Sequence, residues 1–353
     1  MTIVLISATA AGTHACHWLA RELRQQGQQC LTAARLKTTR RQAFAPETLE
    51  ADLPMTAAEL LQSPLLMEAS ALGIFLSGED LERFTRIYRA TCRLQGRQPA
   101  PIFSGAPFPL TGDALVADLL SRRSADLLLV HGERHVEEAA AMTFGWDTPF
   151  PPVIAAGFWF MPERPAVGQL TGGAPISPPF TLVVLAQSSV PSSQSTRLDL
   201  FRRCYAWARE SPEWTVIIQM DHQRDNPESW TTDKRVRSRH RPANLIFGAQ
   251  EQLLNCIGRS SICLTVSSPW IHTAMAWGHP SVVLADYGLG SSEGTTGYLG
   301  SGALYNSDNF QNLDGLLELK PANQTWLQNS GWGVHDGASR LIKALQSLQE
   351  ENQ

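Results

Sequence analysis

The chain has 353 residues, more than one hydrophobic core usually supports, so two domains are expected. With 43% hydrophobic and 18% charged residues and a formal net charge of −4, it reads as a globular protein with no global attraction for nucleic acid. Six cysteines, at 16, 30, 92, 204, 256 and 263, form no Cys-x-x-Cys pair and sit near no His cluster at metal spacing. That excludes a zinc ribbon and a disulfide scaffold, and fits free thiols in a reducing cytosol.

In chain order, "TIVLISA" is a short β-branched run without the basic flank of a signal peptide, so it predicts a first strand. "HACHWLARELRQQG" repeats apolar residues at helical spacing and stops at Gly27. "GIFLSG" leads into "EDLERFTRIYRATCRLQG", Ala114 to Arg123 leads into "ADLLLVHG" and "ERHVEEAAAMTFG", and "PPVIAAGFWF" closes the set. Strands followed by helices in series predict a parallel sheet covered on both faces. "MPERPAVGQLTGGAPISPP" then breaks all periodicity with Pro and Gly, and the strand–helix pattern restarts at "FTLVVLAQ". The prediction is an α/β protein of two Rossmann-like doubly wound domains facing a cleft: residues 1–165, a linker over 166–179, a second domain over 180–335 and an amphipathic helix over 336–353. No window approaches 18 uninterrupted apolar residues, so a cytoplasmic chain with at most peripheral membrane contact is expected.

The stretch "TVSSPWIHTAMAWGHPSVVLADYG" places Ser267 and Ser268 where a buried strand hands over to a helix. Such a junction offers unpaired backbone N–H groups to a phosphate; a plain helix cap is the competing reading. "AMAWGHPSVVLADYG" resembles the donor-domain signature of GT-B-fold glycosyltransferases, and "LTVSS" resembles the serine motif of bacterial sialyltransferases. "LAQSSVPSSQSTRLDLFRRCYAWARESPEWTVIIQMDHQ" and "LADYGLGSSEGTTGYLGSGAL" further resemble an uncharacterised family of bacterial glycosyltransferases related to those enzymes.

The resemblance implies a GT-B enzyme that uses a nucleotide-sugar donor, a glycan or lipid-linked acceptor, no other cofactor and no metal. It implies a donor site of Gln187, Ser188, Ser189 and Ser192 in "QSSVPSSQ", Gln219 and His222 in "QMDHQ", Ser267, Ser268, and Asp286, Tyr287 and Gly288. His222 would also stabilise the leaving group, although Gln223 stands where the sialyltransferase motif has Pro. GT-B enzymes often carry a Glu five residues before the Gly of Gly-x-Pro, and retaining ones a second Glu eight residues earlier. Here those positions are Thr273 and Thr265, which favours inversion and a CMP-sugar over a UDP-sugar.

An inverting transfer requires a general base, expected from the first half. Asp80 in "GED", His14 after the first strand and His131 in "LVHGERH" are the leading candidates, with His17, Glu79, Asp113 and Glu133 nearby; a helix-capping turn is the alternative for "GED". "KRVRSRHR", Lys234 to Arg241, is either a solvated loop or an attractor for an anionic acceptor or membrane surface. Nucleic acid is not expected as a partner, for want of aromatic interleaving. Trp146, Trp159 and Trp270 are candidates for stacking on sugar rings. A sugar-nucleotide epimerase or hydrolase of the same fold, and a non-catalytic module that binds nucleotide-sugar or polysaccharide, stay open as alternatives.

Overall fold

The computed structural model describes residues 1–34, 51–146, 149–161, 179–187, 190–220, 241–248, 253–290, 292–310 and 312–351. They fall into two compact units, one built from the chain up to Met161 and from Gln328 onward, the other from residues 179 to 327. The 166–179 linker falls outside the described residues except for Pro179.

In the first unit, strands β1 (Thr2–Ser7), β2 (Gln29–Ala33), β3 (Ala71–Phe75), β4 (Ile102–Gly105), β5 (Leu127–Val130) and β6 (Val153–Ala155) form a parallel sheet in the order β2-β1-β3-β4-β5-β6. Ile3, Val4, Leu5 and Ile6 are all buried, as a strand covered on both faces requires. One face packs on helices α2 (Ala57–Leu60), α3 (Pro64–Glu68), α4 (Gly78–Leu94), α5 (Gly112–Ser121) and α6 (Glu133–Thr143) through Leu60, Leu66, Leu81, Phe84, Leu115, Leu119 and Ala139. The other face takes α1 (Ala10–Gln25) through Ala15, Leu19 and Leu23. Thr9 caps α1, accepting the Gly12 N–H at 3.0 Å.

In the second unit, β7 (Phe180–Ala186), β8 (Trp214–Met220), β9 (Leu245–Gly248), β10 (Ile262–Thr265), β11 (Ser281–Leu284) and β12 (Leu304–Tyr305) pair in parallel in the order β12-β11-β10-β7-β8-β9. Counted from β7, that is the Rossmann order 3-2-1-4-5-6 reversed, and its switch point lies between β7 and β10. Phe180, Leu182, Val184, Val216, Ile218 and Leu264 share one face with Leu200, Phe201, Cys204 and Trp207 of α7 (Gln194–Glu210). Also in this unit are α8 (Leu253–Arg259), α9 (Ile271–Ala276) and α10 (Gln324–Leu327). The expected class, two doubly wound parallel α/β domains, is the one observed.

The chain end belongs to the first unit. Helix α11 (Gly337–Glu351) buries Ala338, Leu341 and Leu345 on the α1 face of the first sheet, and residues 328–335 go with it rather than with the second domain. Absent side chains allow this close return: a Cβ on Gly132 would overlap the backbone of Asn329 to Gly331, and one on Gly337 the backbone of Ala156. Among the described residues no helix is long and apolar enough to cross a membrane.

Candidate functional site

The register pairs Thr265 of β10 with Leu185 of β7, so Ser267 and Gln187 come abreast two residues later, just beyond the carboxyl ends of both strands. The Ser267 hydroxyl donates to Gln187 Oε1 at 3.2 Å, directly over the switch point. Thr265, fully buried, braces the turn: its hydroxyl donates to Leu185 O at 2.8 Å and accepts the Ser268 N–H at 2.9 Å. A carboxylate at this position would lack that donor. Beneath the turn, the buried Tyr298 hydroxyl donates to Ser268 O at 3.2 Å and lies 3.5 Å from Ser267 O. His272 and Trp326 stack with centroids 5.7 Å apart and rings inclined at 15°, and Tyr298 packs on both.

Neither serine caps the following helix. The residue before α9 is Trp270, which makes no side-chain cap bond, and α9 has only six residues. The long helix at the switch point is α7, of 17 residues, whose first turn follows Gln187. Its cap is Ser193, which accepts the Thr196 N–H at 3.1 Å, with the Ser195 hydroxyl 2.9 Å from the Ser193 hydroxyl. Arg197 holds the loop before it by donating to Pro191 O at 2.7 Å and Ser192 O at 3.1 Å. A second loop closes on the first from the far side of the turn. The Ser192 N–H donates to both Glu293 carboxylate oxygens, at 3.1 and 3.3 Å. Gly294 follows at φ +71°, where a Cβ would stand 3.1 Å from Ser267 Oγ, so this position needs glycine on both counts.

Gln187, Ser192, Ser267 and Ser268 are thus gathered at one place. Gln219 lies one strand over from β7, opposite Leu185, and is 1% exposed. Its amide has no hydrogen-bond partner among the described residues and rests over Gly248, where a Cβ would overlap Gln219 Oε1. Asp286 and Tyr287 are taken up in a separate network instead. Asp286 accepts the Ser307 N–H at 2.9 Å and its hydroxyl, and pairs with Arg203 at 3.3 Å; the Tyr287 hydroxyl donates to Asp199 at 3.2 Å. Burial and the Asp199 charge push the Tyr287 phenol well above its usual range. Gly288, at φ +111°, opens the glycine loop. Ser188, Ser189, His222 and residues 234–240 of the basic loop lie outside the described residues; Arg241 stacks over Phe247 at 5.4 Å.

The comparison that decides the family covers nearly the whole chain. Residues 6–348 match the family described as "Putative glycosyltransferase (DUF6716)". The chain belongs to this family. No curated protein matches it. Solved structures resemble the DUF6716 chain in fold along their full length. The UDP-GlcNAc 2-epimerase from Methanocaldococcus jannaschii superposes with a TM-score of 0.63 at 11% identity, covering 98% of this chain and 100% of its own. The UDP-GlcNAc 2-epimerase from Neisseria meningitidis bound to UDP-GlcNAc gives 0.61 at 10%, covering 98% and 100%. The S. aureus MnaA–UDP co-structure gives 0.60 at 13%, covering 99% and 97%. At such identities the likeness shows the fold alone.

The base candidates of the DUF6716 chain occupy different settings within the first unit. His14 is 6% exposed, and its Nε2 accepts the Trp18 indole N–H at 3.1 Å; burial and the charge of His17 push its pKa down to about 4. His131 is buried and stacked on Trp159, with centroids 4.0 Å apart and Phe158 and Phe160 around it. Asp80 is exposed in the first turn of α4, where its carboxylate accepts the Ser77 hydroxyl at 2.7 Å. The capping alternative for "GED" therefore describes the observed geometry: the Ser77 side chain also accepts the Asp80 N–H. Glu133 pairs with Arg340, Glu79 and Asp113 lie exposed in helix first turns, and His17 stands edge-on to Trp18. Trp159 and Trp270 are core residues, whereas Trp146 is 43% exposed against Phe150.

Sequence reasoning missed Glu293, Arg197 and Tyr298. "SSEGTTG" reads as a flexible glycine loop, and nothing local shows that its Glu reaches back 101 residues to Ser192.

Proposed function

We propose that this protein is a glycosyltransferase that moves a sugar from a nucleotide-sugar donor to a glycan or lipid-linked acceptor, with inversion and without a metal. The observation that carries this reading is the Gln187–Ser267 pair over the switch point of a Rossmann-ordered sheet, in a chain of a glycosyltransferase family. Ser267, Ser268 and the N–H groups at the start of α7 form the seat for the donor phosphate. The α7 terminus replaces the α9 terminus as the source of helix dipole, because only the longer helix has one of consequence.

In the reaction, the acceptor oxygen bonds to the anomeric carbon as the carbon–oxygen bond to phosphate breaks. A base takes the acceptor proton and the nucleotide departs with the electron pair. Asp80 is our choice of base: it is the exposed member of the three, while His14 already uses Nε2 and His131 is enclosed in aromatic packing. His222 assists the leaving group in this reading. A CMP-sugar is favoured as donor, because the 265 and 273 positions carry buried threonines rather than carboxylates. UDP is the competitor, since it occupies one of the fold's relatives. The epimerase fold likeness also keeps sugar-nucleotide epimerisation as the second reading.

Incubation with CMP- and UDP-sugars, with and without mixed glycan acceptors and with EDTA, separates these readings by NMR. Acceptor-dependent nucleotide release with an inverted anomeric signal, insensitive to EDTA, supports transfer. A changed donor sugar without acceptor supports epimerisation, and an unaltered donor supports a binding module.

A further inference from the structure

We propose that Glu293 recognises a vicinal hydroxyl pair of the donor, supplying from the glycine loop the carboxylate that positions 265 and 273 lack. This rests on the donor reading above. Glu293 is 6% exposed, yet the described residues give its carboxylate a single donor, the Ser192 N–H. A carboxylate offers about four acceptor sites, and a charge withdrawn from water without matching donors is unfavourable. Arg197, in the first turn of α7, directs its Nη1 to the carbonyls of Pro191 and Ser192.

A second group, in the serine turn against which Gly294 packs, is left in a similar condition. Ser268 Oγ is buried in a residue 1% exposed and has no partner among the described residues. Polar groups in this state mark a place completed by something else. The complement of Glu293 cannot be the phosphate, which it repels; it must donate. Two carboxylate oxygens side by side match two neighbouring hydroxyls, and the next residue, Gly294, packs against Ser267, where a Cβ would stand 3.1 Å from Oγ.

The test titrates wild type and E293Q with CMP and UDP, with their 2′,3′-dideoxy forms, and with the corresponding nucleotide-sugars. Wild type is expected to bind the ribose forms about 10- to 100-fold more tightly than the dideoxy forms, as hydrogen bonds to a charged group require. In E293Q that gap shrinks to less than about 3-fold. A loss confined to nucleotide-sugars would assign the hydroxyl pair to the transferred sugar and support the carboxylate's role equally. Equal weakening of ribose and dideoxy forms would show a loop clasp only and overturn the proposal, as would no change at all. Absence of any nucleotide binding by wild type would instead bring down the donor reading. Where E293Q does not fold, E293D withdraws the carboxylate by one methylene with its charge intact, and the same narrowing is expected.

Discussion

The Ser267 hydroxyl and Gln187 Oε1 meet at 3.2 Å between residues 80 positions apart, joining the ends of β10 and β7 where the strand order reverses. Side chains from two strands converge there because both connections leave the sheet in opposite directions at a switch point, opening a crevice that the strands themselves do not fill. The surrounding bonds hold the turn from below, through Thr265 and Tyr298, and from the side, through the Glu293 clasp.

Tyr298→Phe removes one hydroxyl from beneath the serine turn and leaves the ring packing on His272 and Trp326 intact. Stability should fall by about 1 kcal/mol, the net worth of one buried hydrogen bond. Nucleotide affinity should fall as well, because the Ser267 and Ser268 carbonyls lose their tether; a melt and a titration on the same sample read both.

Asp80→Asn separates capping from proton transfer. Ser77, which caps α4, is untouched, and an Asn side-chain oxygen can still accept the Ser77 hydroxyl, so the melting temperature should stay within a few degrees of wild type. A general base is worth about 10²- to 10⁴-fold, so kcat should drop by that factor. Unchanged turnover would leave Asp80 with its first-turn bond to the Ser77 cap alone.

His14 makes stability depend on pH in a stated direction. Its folded pKa, about 4, lies below the ordinary value of about 6.5, so between those values the unfolded chain takes up a proton that the native state refuses. This contribution is fully present above about pH 6.5 and is lost as pH falls toward 4, amounting to about 3 kcal/mol at most. Chemical denaturation of His14→Gln across pH 4 to 7 should show a shallower fall than wild type.

Gln219→Leu should stabilise the free protein or leave it unchanged, since an unpartnered buried amide is costly and its loss removes that cost. If Gln219 contacts the donor, the same change should weaken nucleotide binding by about 10-fold or more. Gly248→Ala, by contrast, forces a Cβ into Gln219 Oε1 and should cost about 1–3 kcal/mol.

The strand–helix alternation was legible throughout because parallel strands buried on both faces are continuous apolar runs, as at Thr2–Ser7 and Phe180–Ala186. The serine turn was legible for a similar reason, lying at the end of such a run. What distinguished Gln187 and Ser267 from the Asp286–Tyr287 pair was not: both pairs follow strands, but Arg203 and Asp199, one turn apart on α7, draw the latter into an ionic network. The return of residues 328–351 to the first unit depends on glycine contacts nearly 200 residues apart in sequence, such as Gly132 with Asn329, and periodicity carries no trace of them.

The most direct test of the account is a calorimetric titration of CMP, UDP, GDP and ADP into wild type and Ser267→Ala. The account predicts binding of a pyrimidine nucleotide, CMP foremost, and a loss of about 5- to 30-fold in Ser267→Ala with the melting temperature shifted by only a few degrees. Binding of no nucleotide, or equal affinity in both proteins, would contradict it and leave the Gln187–Ser267 bond a structural tie between two strands.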